Sequence, residues 1–454
     1  MDSKAADSKA VLKVGLLGLG TVGTGVAKIL LETDGRHPLL TTLDITKVGV
    51  RSLKPRDVSL PDSIFTTDLN SIVTDPDIDI IVEVIGGLEP ARTLILKAIE
   101  QGKHIVTANK AVISRYGEEI YEAATAAGVY VMIEAAVGGG IPIIAPLKRS
   151  LSVNRIQAVM GIINGTTNYI LTRMQNEGGD FEAILSDAQA LGYAEADPTA
   201  DVDGLDAADK ISILAALAFG GRVNREDIYC EGIRNVSAAD ISYAENLGFV
   251  IKLLAIAKLP SDTASDTAND TANDTGKPNR IQVRVHPTLV PIDHPLASVN
   301  GVNNAVLIEG DPIGQVMLYG PGAGEGPTAC AVVSDLMAIA ANPTAAIETA
   351  DTLNPLLSCV HTHALTIVPN TEVVTRLYIR LLVKDTSGVI GKLGTCFGQH
   401  DVSLESIVQI GIQDGLVELV VVTHEVPESA FQQALTEIRQ FPEVIDIPSL
   451  LHVL

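Results

Sequence analysis

VLKVGLLGLGTVGTGVAKILLE, residues 11–32, decides the fold. Residues 12–17 form an apolar run rich in branched side chains, the composition of a strand buried on both faces. Gly18, Gly20 and Gly23 follow as G-x-G-x-x-G, and an amphipathic helix opens behind them. In a strand–turn–helix unit the first glycine makes the tight turn. The second lets backbone approach a pyrophosphate, and the third lets the helix lie close on the strand. The phosphates then sit at the helix N-terminus. Residues Gly18, Leu19, Gly20, Thr21, Val22 and Gly23 are therefore the candidate dinucleotide loop. A bare Gly-rich turn would lack the flanking strand and helix.

The pattern continues outward from this unit. Residues 45–51, ITKVGVR, form the next apolar run, and Arg51 stands at its end with Lys54 and Arg56 behind it. An acidic residue there would hold ribose hydroxyls, whereas a cation suits a 2′-phosphate and points to NADP. The plain alternative is a group of solvated loop cations. Runs at 78–87, 104–110 and 129–136 alternate with helical stretches such as ARTLILKAIEQG. The expected class is α/β, with an N-terminal Rossmann-type doubly wound sheet over residues 1–136. An α+β domain for substrate and dimerisation should span 137–335. Its strands are expected at 155–163 and 281–290, and its helices near 167–177, 181–191 and 203–219. Within it, residues 261–279 contain a degenerate polar repeat and should be a disordered surface insertion. Residues 321–341, a Gly-rich turn and an apolar helix, should pack back on the first domain. The last eighty residues, 375–454, read as a separate βαββαβ module of ferredoxin-like form, with Asp414-Gly415 as its hairpin turn.

Composition narrows the function. At 454 residues the chain has room for two or three domains. A net charge of −23 argues against nucleic acid or an anionic membrane as partner. Cys230, Cys330, Cys359 and Cys396 are far apart and form no CxxC, so neither a zinc framework nor a disulfide scaffold follows from their spacing. The N-terminus has no apolar signal core, and a cytoplasmic enzyme is expected. The segment 192–210, GYAEADPTADVDGLDAADK, crowds carboxylates around one lysine and runs into an apolar helix. Acidic groups at that density need water or a cation to face, and a small cationic ligand would serve.

GLGTVG, TANKA, EAAVGGGIPII, GIINGTTNYIL, the acidic segment and YGPGAG together resemble homoserine dehydrogenase, and the tail resembles an ACT domain. The likeness covers nearly the whole chain. It departs at the polar insertion and at Ser387, where ACT loops often carry proline. The resemblance implies NAD(P)H-dependent reduction of L-aspartate 4-semialdehyde to L-homoserine, in threonine and methionine biosynthesis. Hydride addition to the aldehyde leaves an alkoxide, which needs a nearby positive charge and then a proton.

By resemblance Lys210 is the proton donor and Lys110 stands beside the reacting oxygen and the nicotinamide, with Asp206 as the third catalytic residue. Two ammonium groups held close and partly desolvated would each lose a proton more readily than a free lysine. On the residues alone, Lys110 reads as a capping cation and Lys210 as an i,i+4 surface partner of Asp206. The resemblance places Glu195 and Asp206 on the substrate ammonium, with Asp201 ordering the lysine. Thr166 and Thr167 could bind the carboxylate or simply cap a helix. Gly192 belongs to both substrate and cofactor sites, and Gly324 to the cofactor site. A monovalent cation, sodium, is implied at Glu134 and the carbonyls of Val137, Gly139 and Ile141, a structural role for hard oxygen ligands. The tail is expected to bind an end-product amino acid such as threonine at Asp385 and Gly388, and the enzyme to be a homodimer or homotetramer. Two rivals stand beside this reading. One is a semialdehyde dehydrogenase using a nucleophilic cysteine; the other is a non-catalytic amino-acid sensor.

Overall fold

The computed structural model describes residues 11–54, 58–260, 279–342, 353–359, 363–413 and 416–454. The polar repeat at 261–278, Arg56 and the Asp414-Gly415 turn lie outside them. The chain divides into two compact units. One takes the described residues up to 155, with 216–222 and 318–364; the other takes 156–215, 223–317 and 365–454.

The first unit is built on β1 (Leu12–Leu17), β2 (Leu43–Gly49), β3 (Phe65–Thr66), β4 (Ile80–Glu83), β5 (His104–Thr107) and β6 (Val131–Met132). They form one sheet in the order β3-β2-β1-β4-β5-β6, and each pairing is parallel. Leu16, Ile81, Val82 and Val106 are sealed from solvent, as strands covered on both faces must be. Helices α1 (Thr21–Leu31), α2 (Asn70–Val73), α3 (Ala91–Glu100), α4 (Lys110–Ala127) and α5 (Ile144–Lys148) complete this part. Three strands are shorter than their apolar runs. The run 78–87 stops at Glu83, ahead of positive-φ glycines at 86 and 87. Asn109 caps α4 and ends the run 104–110, and 129–136 turns into a 3-10 segment at Glu134–Ala136. A later helix, α11 (Glu325–Ala340), packs on α1. Gly25 permits this approach, because a Cβ there would meet the Ala329 Cβ at 2.8 Å.

The remaining elements, which fall wholly or mostly in the second unit, begin with β7 (Arg155–Ile162), α6 (Gly165–Glu177), α7 (Phe181–Ala190), α8 (Thr199–Val202), α9 (Leu205–Phe219), β8 (Tyr229–Cys230), α10 (Ala238–Asn246), β9 (Phe249–Lys258), β10 (Arg280–Pro291), β11 (Asn303–Asp311) and β12 (Gly314–Pro321). β13 (Thr366–Ile367), β14 (Val374–Lys384), α12 (Val389–Gln399), β15 (Leu404–Gln413), β16 (Leu416–Thr423), β17 (Val426–Pro427), α13 (Glu428–Ile438) and β18 (Val444–Val453) follow. The tail has the expected βαββαβ order, with β15 and β16 antiparallel and Gln413 opposite Leu416. Its core is its own, from Leu377 and Phe397 to Phe431 and Ile438. Its sheet is shared, however. β18 runs parallel to β10 at Thr288↔His452 and Leu289↔Val453, giving the order β12-β11-β7-β9-β10-β18-β14-β16-β15. A buried ion pair, Arg380 Nε to Asp240 Oδ1 at 2.8 Å, ties β14 to α10.

Candidate active site

The glycine loop of the first unit has the geometry its spacing predicts. Gly18 sits at φ +104, where a Cβ would press on the Val84 carbonyl at 2.9 Å. A Cβ on Gly23 would collide with the Gly18 backbone, whereas one on Gly20 would meet open space. Gly20 precedes α1 with no capping side chain, so no side chain caps the first helix N–H groups there. Gly20 and Thr21 are exposed and Val22 is half-buried, while Leu19 points into the core. Leu19 therefore offers a ligand only its backbone. Gly18 N donates to Gly49 O at the end of β2 (3.0 Å). That places the exposed Arg51, two residues further on, beside the loop. Gly324, at φ +125, precedes α11.

Lys110 opens α4 at the C-terminal end of β5 and is half-buried. The structure supports it from beneath. Asn109 accepts from Val112 N and donates to Gly87 O at 2.7 Å. Thr107 Oγ1 donates to the buried Glu83 at 2.6 Å, and Glu83 also accepts from Ile85 N and Gly86 N. Burial pushes the Glu83 carboxyl up against those hydrogen bonds. Glu83, Thr107 and Asn109 were not singled out in the sequence; a polar residue at each strand end was the signal.

In the second unit one network joins the acidic segment to the NGTTN segment. Lys210 Nζ donates to Asp206 Oδ2 and to Ile163 O, each at 2.7 Å. Asp206 is one helical turn before Lys210, and their side chains are 6% and 12% exposed, so this is no surface pair. Asn164 Nδ2 donates to Asp201 Oδ1 (2.7 Å) and Asp206 Oδ2 (2.9 Å). The Asn164 Oδ1 caps α6 by accepting from Thr167 N at 2.8 Å. Burial, then the Asp206 carboxylate, push Asp201 up, opposed by Asn164 and Lys210. The cap of α6 is thus Asn164 rather than either threonine. Thr167 is buried against it, and Thr166 Oγ1 donates to Tyr193 O at 2.8 Å. Gly192, at φ +77, and Glu195 lie on the exposed connection between α7 and α8. Asn164 went unnoticed inside a quoted motif, although Asn two residues before a Thr pair at a helix start is a capping signal. A buried pair, Arg225 Nε to Asp209 Oδ1 at 2.7 Å, holds the adjoining face of α9.

Glu134 of the first unit is buried, and its carboxylate accepts from Ile143 N, Ile144 N and Ala145 N at 2.6, 2.9 and 2.7 Å. Those bonds close the turn Val137–Ile141, in which Gly138 and Gly139 adopt positive φ. Asp335 Oδ2 accepts from Glu134 N at 2.8 Å; burial, then Glu134, push the Asp335 carboxyl up to about 8. Cys230 does not suit thioester chemistry. Burial pushes the Cys230 thiol up to about 11, and it donates to Asp203 O, whereas a nucleophilic thiol needs a lowered pKa. Among the described residues no helix is long and apolar enough to cross a membrane.

A doubly wound parallel sheet with a glycine loop, and a second unit with a lysine set among ordered carboxylates, define a nicotinamide-dependent dehydrogenase of small molecules. The homoserine dehydrogenase NAD-binding domain matches residues 18–134, the homoserine dehydrogenase family 142–337, and the ACT domain 377–443. A homoserine dehydrogenase from Synechocystis sp. is 62% identical, over 98% of this chain and 99% of that protein. The crystal structure of a homoserine dehydrogenase from Thiobacillus denitrificans superposes with a TM-score of 0.86 at 40% identity, covering 98% of both chains. A hyperthermophilic archaeal homoserine dehydrogenase in complex with NADPH has a TM-score of 0.58 at 27% identity, over 72% of this chain and 96% of that one. The chain belongs to the homoserine dehydrogenase family and is an oxidoreductase with a C-terminal ACT domain.

Proposed function

We propose that this enzyme interconverts L-aspartate 4-semialdehyde and L-homoserine with NADPH as the preferred cofactor, in the cytoplasm, toward threonine and methionine. The observation carrying the reading is the Asn164–Asp201–Asp206–Lys210 network. It fixes an ammonium donor among carboxylates that a substrate ammonium can join. Bound NADPH supplies the hydride. Lys210 protonates the alkoxide on reduction and takes that proton back on oxidation, a general acid–base role. Asp206 keeps Lys210 oriented and, with Glu195, draws the substrate ammonium. Asp201 holds Asn164, Thr166 faces the substrate carboxylate, and Gly192 gives backbone on the substrate and cofactor side. Lys110 lends positive charge where the oxyanion grows.

The glycine loop fits a dinucleotide, since the Gly20 Cβ position is open and α1 begins there. Arg51 supplies the charge for a 2′-phosphate, and Gly324 closes the cofactor side. NADPH in the archaeal relative agrees with this preference. Sodium also fits the Glu134 turn. A carboxylate has about four acceptor sites, and Glu134 uses three on N–H groups. The remaining one, with the carbonyls of Val137, Gly139 and Ile141, makes a hard-oxygen set for a structural ion. In the ACT domain a groove of about 320 Å³ is lined by Asp385, Thr386, Ser387, Gly388 and Gln409. It fits an amino-acid effector such as threonine, with Asp385 on the ammonium and the N-terminus of α12 on the carboxylate. Pairing of copies through the ACT sheet would give a homodimer or homotetramer.

The test is a steady-state assay of homoserine oxidation with each cofactor, beside Lys210→Ala. The folded variant should lose at least ~100-fold in kcat and keep its affinity for NADP. Near-normal turnover would remove Lys210 from the mechanism. Absence of homoserine oxidation in the wild type would remove the substrate.

A further inference from the structure

The helical layer of the ACT domain holds a second cluster of ligand-type side chains, apart from the effector groove. Cys396 and His400 lie four residues apart, so the end of α12 presents both on one face. Glu437 stands in the last turn of α13, alongside. The His400 Nε2 and a Glu437 carboxylate oxygen are 3.0 Å apart. One ligand atom from each of the three residues lies within 4.8 Å of the others. The two helices are not free to drift. Phe397 and Phe431 stack at 6.0 Å beneath them, with Leu393, Ala434 and Ile438 in the same sealed core. Cys396 is buried, whereas His400 and Glu437 are half-buried; Cys396 and Glu437 line a surface groove that also reaches Thr395 and Gln399. The neighbouring cation on that face, Lys392, is engaged by Glu443 at 2.9 Å and lies over the Phe441 ring.

We infer that Cys396, His400 and Glu437 form a binding site for a divalent metal of the zinc class, joining α12 to α13. The donor set decides the class. A thiolate and an imidazole suit zinc and cobalt, and disfavour magnesium and calcium. Thiolate and carboxylate together balance a double positive charge, and the groove admits water as a fourth ligand. Bonds of about 2.0–2.3 Å in a tetrahedron set donors roughly 3.5 Å apart. The site therefore closes by about an ångström, a rotamer adjustment at the cysteine. Only the thiolate ligates a metal, so each binding event releases the thiol proton.

The experiment titrates the reduced full-length enzyme with Co2+ under anaerobic conditions. One equivalent per chain should give a thiolate-to-cobalt charge-transfer band in the near ultraviolet. Zn2+ should abolish that band, and excess Mg2+ or Ca2+ should leave it intact. Cys396→Ser and His400→Gln should lose it while keeping catalytic activity, and Cys230→Ser should retain it. Calorimetry with Zn2+ in two buffers of different ionisation enthalpy should show proton release. The inference fails if the band is absent. It fails equally if the band survives in His400→Gln, whose half-buried side chain leaves folding intact, since the cluster is then only a hydrogen-bonded trio.

Discussion

At the residue scale, the proposed preference for NADP rests on one side chain. Arg51 is exposed two residues beyond β2, and the strand end beside it carries glycine rather than an acid. A charge-assisted hydrogen bond to a 2′-phosphate is worth roughly 1.5–3 kcal/mol, which is ~10–100-fold in binding. Arg51→Ala should raise the KM for NADP by about that factor and leave NAD almost unchanged. Equal loss for both cofactors, measured by initial rates, would make Arg51 a bystander. The candidate lysines and acids were legible here by motif, and the residues that hold them were not. Asn164 bridges Asp201 and Asp206 across 37 and 42 positions. Glu83 receives Thr107 across 24. Contacts at such separations leave no periodic trace in a sequence.

At the element scale, α6 is anchored from behind by a buried lysine. Lys252 of β9 donates to Val299 O at 2.7 Å, Asn300 Oδ1 at 2.9 Å and Asn168 Oδ1 at 3.3 Å. Burial pulls its ammonium down to about 8 from 10.5. Between those values the unfolded chain holds a proton that the native one has lost. Stability contributed by this group therefore rises with pH across that window and is lost as pH falls through about 8, by at most ~1.4 kcal/mol per pH unit. Lys252→Met should flatten that rise in denaturant melts at pH 8, 9 and 10, and an unchanged slope would refute the assignment. β9 itself was not marked as a strand in the sequence, because its lysine interrupts an apolar run whose strand character comes from pairing with β10.

At the scale of the whole molecule, the ACT domain is wired into the unit that bears Lys210. Asp240 is fully buried, and Arg380 reaches it as well as Glu418. Removing one partner of a buried pair costs about 3–5 kcal/mol. Arg380→Met should lower the unfolding midpoint accordingly, and a midpoint equal to wild type would show that water replaces the guanidinium. Cutting the chain before β14 would strand Asp240 and uncover the β10 edge, so regulation is better tested by a point change. Asp385→Ala alters only an exposed loop. It should keep basal activity and lose inhibition by millimolar threonine. Inhibition that persists unchanged would place the effector elsewhere.

The sequence by itself determined the doubly wound sheet, the βαββαβ tail and the family. Each of these is written in local signals: glycine spacing, apolar period and motifs a few residues long. The first strand runs Leu12–Leu17 as read, and α12 spans VIGKLGTCFGQ as read. Tertiary structure alone decided that the tail continues the central sheet through β18 and β10, that Lys210 pairs half-buried with the buried Asp206, and that Asn164 orders two carboxylates. The reason is physical. Backbone conformation follows from neighbours within a turn or a strand, whereas burial and pairing of charge depend on segments brought together only when the core closes.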